Sequence, residues 1–270
     1  MRRPALLVVV VAALARLATA HAQAGAGADA LIAGADPSVR EALLADGGAD
    51  ARAALEAIVG HGAIDRVLLT HALAKPLFAP HARATLIALA TVDTVPGAKR
   101  TLERVVAANE EGNAAGAAFE IQAAALLGAA KVAAIGALVD GDEVDLLLHD
   151  GTRVEVKYQH DDDRLLAARI VRKATRQLKK RGANGDPVML IANNPLSARA
   201  LARFRGEVGP ASSVLIVEDE RLVEQLAPAP VGSEQHLRTQ KLGRVSRSAA
   251  RVRRTVLRTA RARRQARTRR

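Results

Sequence analysis

Between Gly141 and Lys157 the chain reads Gly-Asp-Glu-Val-Asp-Leu-Leu-Leu-His-Asp-Gly-Thr-Arg-Val-Glu-Val-Lys, an acid, a turn, and then acid-x-lysine. In a β-strand alternate side chains share a face, so Glu155 and Lys157 project together. Whether Asp145 joins them depends on the turn. A two-residue loop at Asp150-Gly151 pairs His149 with Thr152 and turns Asp145 away from Glu155. A three-residue loop, His149-Asp150-Gly151, with Gly151 left-handed as a bulge, pairs Leu148 with Thr152 instead. Asp145 then faces Glu155, and Glu143 faces Lys157. Directly opposed residues have β-carbons about 5 Å apart, close enough for two carboxylates to hold one divalent cation. Without the cation they repel, which raises the pKa of one of them. A hard cation there polarises a phosphodiester and activates water, while Lys157 positions that water or stabilises charge on the phosphate. The chemistry is hydrolysis without a covalent enzyme intermediate. Taken alone, Val-Glu-Val-Lys is an ordinary half-exposed strand; the ordered set around a hairpin gives it meaning.

The elements that must position these residues follow from periodicity. Ala114 to Leu127 suits a helix, and Val132 to Val139, Glu143 to Leu148 and Arg153 to Tyr158 suit three strands. Arg164 to Arg181 reads as a basic amphipathic helix, Val188 to Ala192 as a strand, Ser197 to Arg205 as a helix and Val214 to Val217 as a last strand. The order αβββαβαβ is that of an α/β fold with a mixed sheet. Pro228 and Pro230 close it. Upstream, apolar residues such as Ile64 and Leu68, Leu69 and Leu73, and Leu86 and Leu89 recur at helical spacing. They predict helices over 50–59, 63–74, 80–92 and 97–109, with a further start at Asp36-Pro37 and a stop at Gly47-Gly48. This all-helical region reads as packing without a catalytic role of its own.

The set Phe119-Glu120 on a helix, Asp145 on one hairpin strand and Glu155-Val156-Lys157 on the next resembles the PD-(D/E)xK, restriction-endonuclease-like nuclease superfamily. In pattern it is nearest to Holliday-junction-resolvase-like and bacterial toxin nuclease domains. The resemblance covers residues 112–226 and departs from the family's name in having no proline before Asp145. It implies an αβββαβ core with a mixed central sheet and Mg²⁺-dependent cleavage of DNA, less often RNA, with Mn²⁺ as a substitute cation. It further implies Asp145, Glu155 and the carbonyl of Val156 as metal ligands, Lys157 acting on the nucleophile, and Glu120 as an outer-shell acid. Glu143 competes for that last part.

The helix after the hairpin carries Arg169, Arg172, Lys173, Arg176, Gln177, Lys179, Lys180 and Arg181. Of these, Arg172, Arg176 and Gln177 are the candidates for phosphate contact near the cleft, against the alternative of a merely solvated face. His160 with Asp161-Asp162-Asp163 imitates a metal cluster but reads as a loop whose Asp163 caps that helix.

Composition narrows the rest. The chain of 270 residues has no cysteine, which excludes disulfides, thiolate metal sites and a cysteine nucleophile. Only 1% of it is aromatic, which argues against base stacking on an aromatic platform. The net charge of +12 lies in the tail: Arg238 to Arg270 holds 14 Lys and Arg and no acid, leaving 26 basic against 28 acidic residues upstream. Met1-Arg2-Arg3, an apolar run from Ala5 to Ala15 and then Ala18-Thr19-Ala20 or Ala20-His21-Ala22 read as a secretory signal peptide. The run is too short for a transmembrane anchor. The expected organisation is a signal peptide over 1–22, a helical region over 23–110, a nuclease-like domain over 111–228 and an Arg-rich tail over 229–270 that is disordered when unbound and binds nucleic acid or anionic surfaces. The expected function is a secreted or periplasmic nuclease, an effector or toxin with room for an immunity protein as partner. Two alternatives stand beside it: a cytoplasmic repair or recombination nuclease, and a catalytically silent nucleic-acid or envelope-surface binding protein on a nuclease-like scaffold.

Overall fold

A computed structural model of the chain describes residues 27–159, 165–181, 185–209 and 212–226. The expected signal peptide over 1–22, the expected loop His160 to Asp163, the prolines at 228 and 230, and the expected tail over 229–270 lie outside the described residues. No helix among the described residues is long and apolar enough to cross a membrane.

Among the described residues seven α-helices precede the sheet. They are α1 (27–33), α2 (Pro37–Leu44), α3 (Ala49–His61), α4 (Arg66–Leu73), α5 (Ala82–Val92), α6 (Ala98–Ala107) and α7 (Glu111–Leu127). Caps set several of their starts. The Asp36 side chain accepts from the Ser38 N–H with Pro37 in the first turn, and Asp65 accepts from the Leu68 N–H. Helix α7 is lined almost all round by small buried residues, among them Ala114, Ala115, Ala117, Ala118, Ala123 and Ala124. Such a helix suits a position between two layers. It packs on α5 and α6 on one side and on the sheet on the other. The one charged side chain it buries is Glu120.

The sheet holds six strands in sequential order: β1 (Val132–Val139), β2 (Asp142–Leu148), β3 (Arg153–Lys157), β4 (Val188–Ala192), β5 (Ser212–Glu218) and β6 (Arg221–Glu224). Pairing is antiparallel in β1/β2, β2/β3 and β5/β6, and parallel in β3/β4 and β4/β5. The crossovers that parallel pairing requires are α8 (Ala168–Arg181) and α9 (Ala198–Val208). One sheet face, with Leu146, Leu148, Val154, Val156 and Ile191, shares a core with the N-terminal helices. The other, with Val188, Leu190, Ala192, Val214 and Ile216, is covered by α8 and α9. The change of character near residue 110 is therefore a change of secondary structure and not a gap in the core.

Gly97 fixes the join between the helical layer and the sheet. Its φ is +89°, and a Cβ there would lie 1.8 Å from the Ile135 carbonyl oxygen. Beside it the Ile135 N–H donates to the Pro96 carbonyl at 2.8 Å. Only glycine allows the chain entering α6 to lie this close to β1.

Three expectations needed adjusting. Helix α8 starts at Ala168, not Arg164, because the backbone before it is held elsewhere: the Leu166 N–H donates to the Pro195 carbonyl and the Ala167 N–H to the Gln159 side chain. Strand β3 ends at Lys157 instead of Tyr158. Strand β6 was not anticipated, because its hairpin turns on Asp219-Glu220, both with positive φ, where glycine or asparagine is the usual signal.

Candidate active site

The hairpin decides whether the acids meet. Leu147 pairs with Arg153 and Leu146 with Val154, the Leu148 N–H donates to Thr152, and Gly151 has φ +85°. This is the three-residue loop with a left-handed glycine. Asp150 secures it by accepting from the Thr152 N–H at 2.9 Å. Extended by one residue, the register sets Asp145 opposite Glu155. Parallel pairing of Glu155 with Leu190 and Lys157 with Ala192 puts both on the face covered by α8.

Past Asp145 the strands part. In the same register the Val156 N–H would donate to the Val144 carbonyl, but it donates instead to Asp145 Oδ2 at 2.7 Å. The carboxylate thus replaces a ladder bond and is fixed by the backbone of the strand that carries its partners. Into the opening comes Lys157. Its ammonium donates to Glu155 Oε1 and to the Val156 carbonyl at 3.0 Å, and lies 3.5 Å from Asp145 Oδ2. Glu143 is exposed and makes no ion pair with Lys157 among the described residues, because the parted strands carry it away. The expected facing of Glu143 and Lys157 is therefore not realised.

Two arginines complete the cluster. From the last turn of α8, Arg181 donates to Glu155 Oε2 and to the Glu143 carbonyl, and both partners of the Arg181–Glu155 pair are buried. It bridges the opening between β2 and β3. From α6, Arg104 holds Glu120 with two bonds, 2.7 Å and 3.1 Å. Sequence reasoning missed both roles. Arg181 had a signal, since it continues the buried stripe Val171, Ala174, Leu178 of α8 at helical spacing. Arg104 had none, because it lies in a region with no motif and meets its partner only through the packing of α6 on α7.

The electrostatics follow from crowding. Burial, with the charge of Asp145 added, pushes the Glu120 carboxyl up to about 7, while Arg104 and Lys157 pull the other way. Burial and Asp145 likewise raise Glu155 against the pull of Lys157 and Arg181. For Lys157, burial opposes the charged form, but Asp145 and Glu155 outweigh it and hold its pKa above the ordinary value. The acids therefore share a field that demands a cation, and the ammonium of Lys157 answers part of it.

The donor set suits a hard divalent cation. Asp145 Oδ2, Glu155 Oε1 and the Val156 carbonyl are the three oxygens around the ammonium, and all are hard oxygen donors of the kind Mg²⁺ or Mn²⁺ takes. Among the described residues no group of three or more His, Cys, Asp or Glu gathers to hold a metal. Two carboxylates and a carbonyl still fit Mg²⁺, which commonly binds through one or two carboxylates and otherwise through water and substrate phosphates.

Arg172, Arg176 and Gln177 do not act together. At 3.6 residues per turn Arg172, Arg176 and Lys179 form one stripe of α8, and Gln177 and Arg181 lie roughly 130–170° round the helix from it. Arg172 and Arg176 face α9 and line a groove there, away from the carboxylates. Gln177 stands one turn before Arg181, with its Oε1 buried and without a hydrogen-bond partner among the described residues. No protein-family model, no curated protein and no solved structure matches this chain.

Proposed function

We propose that this chain is a Mg²⁺-dependent nuclease of the PD-(D/E)xK, restriction-endonuclease-like type, with DNA favoured over RNA as substrate. The observation that carries the reading is the convergence of Asp145, Glu155 and the Val156 carbonyl on one positive centre, at the point where β2 and β3 part. A mixed sheet with α7 on one face and α8 on the other supports it.

Asp145, Glu155 and the Val156 carbonyl would hold the cation, which when bound supplies a Lewis acid that polarises the phosphodiester and makes water acidic. The remaining work belongs to the chain. Arg181 grips the far oxygen of Glu155 and so aims the near one into the opening. The Val156 N–H fixes Asp145 in the same way. Glu120, locked by Arg104, adds negative charge behind Asp145 and favours a cation in front of it. Lys157 presents its ammonium between the carboxylates, where it can donate to an attacking water or to the phosphate oxygens as charge builds on them. The signal-like N-terminus and the basic tail suit an exported enzyme that collects on polyanions.

One observation favours a second reading. Glu120 and Glu155 each already have a cation partner within the protein, as a catalytically silent binding scaffold would require. Incubating the full chain with supercoiled plasmid, single-stranded DNA and RNA, in Mg²⁺ and in chelator, separates the two. The nuclease reading expects cleavage only with the metal and none from Asp145→Asn. Binding without cleavage under every condition would overturn it in favour of the scaffold.

A further inference from the structure

The groove between α8 and α9 has a volume of about 570 Å³. Arg172, Arg176 and Lys179 line one wall, and Arg199 and Arg203 the other. All five are exposed. Among the described residues only Arg203 has an ion-pair partner, Glu207, which lies in the groove. Glu207 also draws Lys179, so three cations, Arg172, Arg176 and Arg199, converge on one space without a counter-charge among the described residues, an arrangement that costs repulsion unless an anion relieves it.

We propose that this groove binds the phosphodiester backbone of the nucleic acid at a position separate from the scissile bond. The spacing points to a linear polyanion and away from a compact one. Arg172, Arg176 and Lys179 follow one another along α8 at rises of roughly 6 Å and 4.5 Å, and Arg199 and Arg203 repeat the first interval on α9, again roughly 6 Å. Regular charges on both walls match successive phosphates of one strand. No aromatic residue lines the groove, so the contact reads backbone and not bases. An acidic protein segment fits less well, because the apolar lining residues, Ala168, Val171 and Ala200, are small and form no anchor pocket. The groove and the carboxylate cluster flank α8 on opposite sides, about one helix diameter apart, roughly 10–12 Å. A strand gripped in the groove therefore passes over α8 before it reaches Lys157.

The nucleic-acid identity of the ligand rests on the nuclease reading, but binding in chelator needs no cleavage and reports on the groove independently. The test is the affinity of the full chain for labelled duplex and single-stranded DNA in EDTA, measured from low to moderate salt. Parent, Arg172→Ala/Arg176→Ala and a charge-matched control, Arg100→Ala/Arg221→Ala, are compared. All four positions are exposed, so the fold should be kept. Losing two phosphate contacts lowers the slope of log affinity against log salt by about 2 for duplex DNA, with weaker binding at low salt, while the control keeps the parental slope. Unchanged affinity and slope in the groove variant overturns the proposal. An equal change in the control also overturns it, since binding would then follow net charge alone. Polyglutamate that competes with DNA as an equal, and only when Arg172 and Arg176 are present, overturns it in favour of an acidic protein partner.

Discussion

Replacing Arg181 by alanine removes the only buried cation among the described residues that reaches across the parted strands. Its guanidinium donates to Glu155 Oε2 and to the Glu143 carbonyl, and neither group of the Arg181–Glu155 pair is reached by solvent to any extent. The substitution leaves a buried carboxylate with Lys157 as its one remaining charge partner and a carbonyl without its donor. Breaking a buried pair in this way costs roughly 3–5 kcal/mol. For a domain whose denaturant sensitivity is about 2 kcal/mol/M in urea, that moves the midpoint down by roughly 2 M. The cost depends on pH in a known direction. Burial already raises the Glu155 pKa, and loss of Arg181 raises it further, so the neutral form relieves the strain. Stability held by that neutral form is present below the ordinary glutamic acid pKa and is lost as pH rises through the raised one. The deficit of Arg181→Ala should therefore widen as pH rises above the ordinary glutamic acid pKa when parent and variant are unfolded in urea with chelator present. A deficit below about 1 kcal/mol, or one that does not change with pH, would refute the bridging role.

Glu120→Gln should flatten the pH dependence of stability in chelator. The parental carboxyl, pushed up to about 7, contributes stability below its ordinary value near 4.5 that is lost as pH rises through 7, on the order of 2 kcal/mol, and urea unfolding from pH 5 to 8 reads the difference. Asp145→Asn should change the stability of the metal-free protein little, because it relieves repulsion with Glu120 and Glu155 but also loses the attraction to Lys157. It should also abolish the stabilisation by Mg²⁺, which in the parent reaches about 2.7 kcal/mol at a hundredfold excess over Kd. Gly97→Ala should cost about 3 kcal/mol, from the overlap with the Ile135 carbonyl and the left-handed backbone, seen as a fall in Tm.

The order of helices and strands was readable because hydrophobic period and turn residues agree along most of the chain. The register of the hairpin was readable because Gly151 sits where a three-residue loop needs a left-handed residue, and this one turn decides that Asp145 faces Glu155. Strand β6 was hidden because Asp219 and Glu220 take positive φ without glycine. Among the residues of the candidate site, Asp145, Glu155 and Lys157 are brought together by local spacing that the sequence shows, and Glu120 was proposed from the family resemblance. Arg104 and Arg181 are brought in by packing between elements far apart in sequence, which no local pattern encodes. Arg172 and Arg176 were expected near the cleft, but which flank of α8 they occupy depends on where α8 rests on the sheet, and that is set by Val171, Ala174 and Leu178 in the second core.

On the proposed reading Lys157 serves a reaction and does not merely neutralise its neighbours. The direct measurement is the initial rate of plasmid and RNA cleavage by purified Lys157→Ala and parent at saturating Mg²⁺, with metal binding followed in parallel. Both carboxylates remain in the variant, so Mg²⁺ should still bind and stabilise it, while the rate falls by about a hundredfold or more through loss of a group that acts mainly in the transition state. A Lys157→Ala protein that binds Mg²⁺ and cleaves as fast as the parent would contradict the assignment of this cluster as an active site.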